Sequence, residues 1–347
     1  MKRIVLVGAG HAHLECIKEG THPDVEWIVI NPSRYQYYSG MFSGLADGTY
    51  RLEETRVDVK ALCSLHGKTL MEDRVTRIDP QTKQVFCQSG EIISYDVVSC
   101  NIGSNDWNVS DATSRVTIKP NYQIDQALRQ FKEASSPVIV GSGAAAIEMA
   151  ASFQSDGCPV TLVHDEPLLA GHPAEASILD RLDTLGVTRI VDRFLSLDEQ
   201  TVQLQSGQSF KADAVLFLGG ASALDLFKAS GLYCDDRGFL LVHETFQSLE
   251  DPSLFAVGDC ATLAAYPNTP KNGVTAVRQA PVLLENLLRF INQERLRTFR
   301  PQTRYLTILS MGHQQGTLLY GRHYQTNHLS WRLKQWIDRR FIKSYTT

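Results

Sequence analysis

The sequence predicts an α/β protein built from two similar doubly wound units, the first interrupted by the second. Three observations predict it. A strand, glycine loop and helix phrase occurs twice, and a buried strand returns late in the chain. The length, 347 residues, suits two domains and a short third piece at roughly 100 to 200 residues per domain. The first phrase is a strand over 4–7, the loop Gly8-Ala9-Gly10-His11-Ala12-His13, a helix through Leu14 and Ile17, and a strand over 25–30. The second is a strand over 137–140, the loop Gly141-Ser142-Gly143-Ala144-Ala145-Ala146, a helix through Ile147 and Met149, and a strand over 160–163. Gly8 lies as far before Asn31 as Gly141 lies before His164, so the units are in register and each reads as a Rossmann-like β-α-β dinucleotide unit.

Both halves continue alike. Short β-rich segments at 85–87 and 92–93 precede an apolar strand over 95–100 and the break Gly103. Segments at 202–204 and Phe210 precede the strand 214–218 and the break Gly219-Gly220. A small sheet inserted before a last parallel strand accounts for each. The apolar run 254–257, ending in Gly258-Asp259, belongs back in the first unit. The expected domains are therefore 1–112 with 246–300, then 113–245, then a C-terminal piece over 301–347. A helix over 274–292 buries Ala276, Ala280, Leu283, Leu284, Leu287, Leu288 and Ile291. Segments 305–310 and 317–320, around Gly312 and Gly316, read as a hairpin. The last segment, 329–342, is an amphipathic helix with Leu329, Leu333, Trp336, Ile337 and Phe341 set among Arg332, Lys334, Arg339, Arg340 and Lys343.

Composition excludes several classes. With 43% apolar and 21% charged residues and a mean hydropathy of −0.17, the chain is globular. Its 34 Lys plus Arg against 38 Asp plus Glu leave a formal charge of −4, without the basic field that holds nucleic acid. No apolar run approaches a membrane span, and the run after Met1-Lys2-Arg3 breaks too early at Gly8 for a signal peptide. A cytoplasmic protein is expected, free or peripheral on the cytoplasmic face of a membrane. The seven cysteines are scattered without C-x-x-C or zinc-ligand spacing, so neither a disulfide scaffold nor a metal site is expected.

Glycine loops between a strand and a helix bring backbone N–H groups and the positive end of the helix dipole to a phosphate. Two copies, each opening a β-α-β unit, point to two dinucleotide sites. The third fingerprint position holds His13 in one copy and Ala146 in the other; alanine suits that packing position, histidine departs from it. His11 and His13 form a metal pair only with a third ligand, and none is near in sequence, so contact with a cofactor or burial is the better reading. The ribose-binding carboxylate is replaced by Asn31 in the first unit, while His164, Asp165 and Glu166 stand there in the second. An acidic pair without a nearby arginine favours NADH over NADPH, although the same residues also suit a solvated loop.

These loops, with Phe255-Ala256-Val257-Gly258-Asp259-Cys260, resemble the pyridine nucleotide-disulfide oxidoreductase superfamily. Tyr38-Ser39-Gly40-Met41, Ala276-Val277-Arg278-Gln279, Trp331-Arg332-Leu333-Lys334 and Ile337-Asp338-Arg339-Arg340-Phe341 are similar to one branch of it. That branch is the type II NADH dehydrogenase-like FAD flavoproteins, found alone or fused ahead of selenide, water dikinase. The resemblance covers nearly the whole chain. It implies FAD in the first unit and NAD(P)H in the second. Gly8, Gly10, His11 and Ala12 would hold the FAD diphosphate; Asn31 and Arg34 would lie near its adenosine end, and Val75 would touch adenine through its backbone. Gly103 and Gly258 would border the same cofactor, Asp259 would bind its ribityl chain or diphosphate, and the helix starting near Val274 would point at the flavin. A helix start there would stabilise the negative charge of reduction. Gly141, Gly143, Ala146 and Asp165 would take the nicotinamide dinucleotide, with Glu148 beside the nicotinamide, although a glutamate near a helix start is also a plain dipole partner.

The implied activity is an FAD-dependent NAD(P)H dehydrogenase that passes a hydride from NADH to flavin and two electrons to an acceptor, a quinone by preference. Of the branch's A-Q-x-A-x-Q quinone pattern only Gln279 remains in place, with Thr275 and Val277 at the altered positions. Redox-active cysteine pairs are absent from the sequence. The alternatives are a flavin-binding redox sensor or partner module linked to selenium metabolism, and a reductase for a small iron–sulfur protein. The basic apolar helix over 329–343 would meet a membrane surface, a second subunit of a homodimer, or the chain's own flavin domain.

Overall fold

The computed structural model describes residues 1–106 and 114–346, so the expected 112/113 boundary lies outside the described residues. Two five-stranded sheets organise it. The first runs Leu254–Ala256, Val97–Cys100, Lys2–Val7, Val25–Ile30, Thr69–Met71, and every neighbouring pair is parallel. Its strands are near-continuous apolar runs because both faces are covered, with Val75, Ile78 and Val85 of a small antiparallel sheet sharing its core, and Ile4, Val5 and Leu6 are fully buried. The second runs Arg115–Val116, Ala214–Phe217, Pro137–Val140, Thr161–His164, Thr188–Val191, again all parallel. In both, the strand that feeds the glycine loop is central and strand order reverses beside it. That reversal opens a crevice at the carboxyl ends of the strands, where ligands of such sheets bind. Each unit also carries a three-stranded antiparallel sheet, Val75–Asp79 with Gln84–Cys87 and Ile92–Ser94 in one, Phe194–Asp198 with Thr201–Leu204 and Ser209–Lys211 in the other.

The late strand Leu254–Ala256 lies against Val97–Cys100 at the edge of the first sheet, so the first unit is discontinuous. The expected boundary at 245 moves. The short helix Leu226–Ala229 places Phe227 in the first core, and Leu240–Val242, paired with Ala261–Leu263, places Leu240 and Val242 there. Apolar burial decides the assignment: these side chains find the first core while Val138, Val215 and Phe217 close a separate cluster in the second unit.

The helix Gly273–Ile291 packs along His11–Glu19 and is capped by Asn272, whose Oδ1 accepts the Thr275 N–H at 2.9 Å. The C-terminal hairpin is in fact a three-stranded sheet, Leu306–Ser310, Gly316–Tyr320 and His323–Asn327. Its third strand, His-Tyr-Gln-Thr-Asn, is a polar edge without apolar alternation, which is why periodicity misses it. Asn327 then caps the terminal helix His328–Lys343 through the Ser330 N–H.

That helix has two working faces. Ile342 and the following Tyr345 enter the first core, Phe341 stacks on Tyr38 at 4.4 Å between ring centres, and Tyr345 donates to Glu15. The opposite face leaves Leu329 at 70%, Leu333 at 37% and Trp336 at 57% exposure among Arg332, Arg339, Arg340 and Lys343. Phe341 therefore lies on a different face from Leu329, Leu333 and Trp336, contrary to the single apolar stripe expected from the sequence.

The turn at Gly312 pins this C-terminal piece to the second unit. Arg181 donates to the carbonyls of Met311 and Gly312, both at 3.0 Å. Gly312 has φ +66°, and a Cβ there would lie 2.8 Å from Ser155 Cβ and 2.9 Å from the Ala151 carbonyl oxygen. Gly312→Ala is expected to cost about 2 kcal/mol of stability, measured by urea unfolding of the apoprotein, through strain at a left-handed residue.

Candidate functional site

The first crevice is a cleft of about 460 Å³, within the roughly 300–1,000 Å³ usual for small-molecule sites. Gly8, Gly10, His11, Asn31, Val75, Gly103 and Asp259 line it. The loop is held from below by one side chain, Asn101, at the carboxyl end of Val97–Cys100. Its Oδ1 accepts the Ala12 N–H at 3.0 Å and the His13 N–H at 3.4 Å, its Nδ2 donates to the Val257 carbonyl at 3.0 Å, and its own carbonyl accepts the Gly10 N–H at 3.1 Å. Asn101 thus caps the His11–Glu19 helix from another strand, a service that Gly10, the residue at the N-cap, cannot give. The close approach explains the glycines. A Cβ on Gly10 would sit 2.4 Å from Asn101 Oδ1, one on Gly8 2.6 Å from the Asn101 carbonyl oxygen, and one on Gly258 2.5 Å from Asn101 Nδ2.

The expected site residues divide accordingly. The Ala12 N–H, assigned to a diphosphate, is engaged by Asn101. Asn31 lines the cleft, but its Oδ1 accepts the Ala9 N–H at 2.9 Å and its Nδ2 donates to the Ser33 carbonyl, so it braces the loop. Arg34 is turned away from the cleft: it is exposed and bonds Asp58 at 2.6 and 3.0 Å. Val274 is 41% exposed and does not line the cleft; Gly273 and Ala276, on either side of it, do. Helix phase makes the difference, since the residue that opens the helix and the one three further on share a face. Asp259 accepts from Ser104 Oγ at 3.4 Å, and Ser104 in turn accepts from Lys119 Nζ at 2.7 Å.

The two histidines have different fates. His13 is fully buried; its Nδ1 donates to the Gly8 carbonyl at 2.6 Å and its Nε2 accepts from Ser99 Oγ at 2.9 Å. A carbonyl can only accept, which sets the neutral tautomer, and burial pushes its pKa down to about 4 against the opposing Gly8 bond. With both nitrogens committed, it is no metal partner for His11. The third fingerprint position is therefore filled by a clamp on the first glycine. His11 lines the cleft, its Nε2 is buried with no hydrogen-bond partner among the described residues, and its ring lies 5.4 Å from Tyr38 and 5.3 Å from Phe341. Burial lowers its pKa to about 4 while Asp259 pulls it up.

At the second loop, Gly141 has φ +146°, and a Cβ on it would meet the Leu218 carbonyl oxygen at 2.7 Å; a Cβ on Gly143 would meet nothing within 4 Å. The helix Ala144–Ser155 starts at Gly143 without a side-chain cap, and Ala146 is buried at the packing position. Asp165 is exposed and has Arg193 3.9 Å away, brought from beyond the Thr188–Val191 strand. The arginine missing from the local sequence is therefore supplied by the fold, and the acidic pair no longer argues for NADH alone.

Glu148 leaves that helix toward the first unit. Its Oε1 accepts the Ser310 N–H at 2.7 Å and the Ser43 hydroxyl at 3.3 Å, with Lys334 Nζ at 4.0 Å. Burial pushes the Glu148 carboxyl up while Lys334 pulls it down. Gln279, expected to be catalytic, is buried and lies behind the cleft wall; its Oε1 accepts the Gly258 N–H at 2.7 Å.

A family model described as pyridine nucleotide-disulphide oxidoreductase matches residues 2–280. The chain belongs to this family. Members are FAD-dependent with NAD(P)H as substrate, and this oxidoreductase is an enzyme of that kind. It is 27% identical over 323 residues to an NADH oxidase of Enterococcus faecalis, covering 82% of this chain and 70% of the relative. The NADH dehydrogenase-like protein YutJ of Bacillus subtilis is 25% identical, with 91% and 92% covered. In fold, NDH2 from Plasmodium falciparum in complex with NADH superposes with a TM-score of 0.83 over 99% of this chain and 97% of that one, at 11% identity.

The first cleft of the oxidoreductase fits FAD on its own chemistry. The loop floor is glycine because nothing larger fits, a helix start faces it, and the unpaired His11 Nε2 reaches its wall. Sequence reasoning missed Asn101, although its place directly after the strand over 95–100 marks the carboxyl end where such sites lie. It also missed Lys119, which donates to Ser104 beside Asp259. Replacing Asn101 by alanine leaves two helix N–H groups and the Val257 carbonyl without their side-chain partner. Asn101→Ala is expected to raise the FAD dissociation constant about 10- to 100-fold, read by fluorescence on reconstitution of the apoprotein.

Proposed function

We propose that the oxidoreductase takes a hydride from NADH or NADPH bound at the second loop and passes two electrons, by way of FAD in the first cleft, to a quinone. The observation that carries this reading is the reach of Glu148. A residue of the second nucleotide helix touches Ser43 of the first unit, so the helix that starts at the second glycine loop packs against the unit that carries the first cleft. FAD, when bound, supplies the hydride-accepting ring and the two-electron store. The chain supplies position. Asn101 and His13 hold the first loop, Asp259 and Ser104 present polar groups to the cleft, and the start of Gly273–Ile291 gives it a positive dipole end. Glu148 and Lys334 give the seam a polar, shielded face against which a nicotinamide can lie. Arg193 beside Asp165 supports use of both nicotinamide cofactors.

A quinone acceptor agrees with the described cysteines, all of which lack a disulfide, and burial raises the pKa of Cys16, Cys63, Cys87, Cys100, Cys158 and Cys260. Inert thiols do not relay electrons. Among the described residues no helix is long and apolar enough to cross a membrane. The exposed face of the terminal helix, with Leu329, Leu333 and Trp336 among four cations, suits peripheral contact with an anionic bilayer, where a lipid-soluble quinone resides.

Purified protein is expected to carry FAD, to bleach within seconds under anaerobic NADH or NADPH, and to recover its colour with a quinone faster than with oxygen. An oxidised spectrum that persists under millimolar amounts of both nicotinamides overturns the proposal. On vesicles containing anionic lipid, Leu333→Ser with Trp336→Ser is expected to reduce binding at least tenfold; unchanged partitioning removes the membrane contact.

A further inference from the structure

The first unit does not build the wall of the first cleft alone. Lys119, Pro120, Asn121 and Tyr122 line it too, and they belong to the segment that leads into the second unit. That segment follows the strand Arg115–Val116, at the edge of the second sheet, and runs into the helix Ile124–Glu133. Val116, Ile118 and Ile124, which flank it, are buried in the second core. The four residues are therefore fixed at both ends to the second unit while they reach across to the first.

Two hydrogen bonds fasten them there. Lys119 Nζ donates to Ser104 Oγ at 2.7 Å, and Arg74 Nη2 donates to the Tyr122 hydroxyl at 2.7 Å. The turn Asn121–Gln123 also lies against the strand Tyr35–Tyr37 of the first unit. Sheet order shows what lies between the two bonds. Ser104 follows the strand Val97–Cys100, on one side of the central strand Lys2–Val7, and Arg74 follows Thr69–Met71 at the opposite edge of the sheet. With neighbouring strands about 4.8 Å apart, the ends of those two strands stand about 14 Å apart. The span between them passes the carboxyl ends of Lys2–Val7 and Val25–Ile30, where Gly8, Gly10 and Asn31 line the cleft. Four residues with a long side chain at each end cover that distance.

We propose that residues 119–122 form a strap latched across the first cleft, and that opening of the Arg74–Tyr122 bond gates the entry and release of FAD. A cofactor lying on the glycine loop is enclosed between that loop and the strap, and leaves only when the strap lifts. Of the two fastenings, the Arg74–Tyr122 bond is exposed and the Lys119–Ser104 bond is half-buried, so water competes best for the first. The latch joins protein to protein and forms with or without a ligand. It therefore slows entry and release by the same factor and leaves the affinity unchanged. No particular electron acceptor is needed for it to work.

The test uses the full chain. Release is followed by chasing protein loaded with isotope-labelled FAD with an excess of unlabelled FAD. Entry is followed in stopped flow by the quenching of FAD fluorescence on the apoprotein. Tyr122→Phe keeps the ring that packs on the second core and removes only the acceptor oxygen. It is expected to speed release and entry alike, about three- to tenfold, the worth of one hydrogen bond, with the dissociation constant unchanged. Arg74→Met is expected to speed release as well, and Tyr122→Phe is expected to add nothing in an Arg74→Met background, where the bond is already gone. Exchange rates that stay the same in Tyr122→Phe overturn the latch. A dissociation constant that rises in step with release also overturns it, since Tyr122 is then a cofactor contact and no gate. Effects of the two substitutions that multiply overturn it too, because the residues then act apart.

Discussion

One ammonium group holds the three parts of this enzyme together. Lys334, on the terminal helix, donates to Gly40 of the first unit and to Asp338 on its own helix, and lies within 4.0 Å of Glu148 in the second. Removing a lysine from water costs several kcal/mol, and only close, well-oriented partners offset it. The partners here come from different units, so the offset exists only when all three are docked. The same cation therefore ties assembly to chemistry, since the docking that shelters Lys334 also brings the helix of the second glycine loop against the first unit.

A second constraint lies beneath the first loop. Asn101 contributes its side-chain oxygen, side-chain nitrogen and backbone carbonyl to segments far apart in sequence. Each is a buried polar group that would be costly to leave unpaired, so their mutual satisfaction sets the loop geometry closely. Gln279 acts in the same way on Gly258 from the opposite side. The first cleft is thus a backbone surface held in place by buried amides, with glycine wherever those amides come close.

Much of this was legible in the sequence, for a physical reason. Parallel strands buried on both faces must be apolar runs, and a loop that approaches a strand end must be glycine, so the two units and Gly8, Gly10, Gly141 and Gly258 stand out. Arg34, which the resemblance sets near the adenosine end, is held by Asp58 from another strand, a pairing that sequence order does not reveal. Arg193 was missed because only the fold brings it to Asp165. Lys334 and Asp338, four residues apart on a basic helix, look like a solvated surface pair; burial alone gives them another meaning. The His323–Asn327 strand left no trace because a polar edge strand has no apolar period.

The two glycine loops, alike in sequence, are built for different tenants. In the first, the second glycine is demanded by the protein itself, since any side chain on Gly10 strikes Asn101, and the N–H groups of Ala12 and His13 are already clasped. Such a loop keeps its shape whether or not a ligand is present and pays little reorganisation on binding, which suits a resident cofactor. In the second, only Gly141 is demanded, by Leu218; a side chain on Gly143 would meet no protein atom, and the helix start behind it has no side-chain cap. Nothing in the protein requires glycine at 143, so the space beside it would admit a ligand's backbone-close phosphate, with the helix end still to be satisfied. A loop completed only by its ligand suits a nucleotide that arrives, gives up its hydride and leaves.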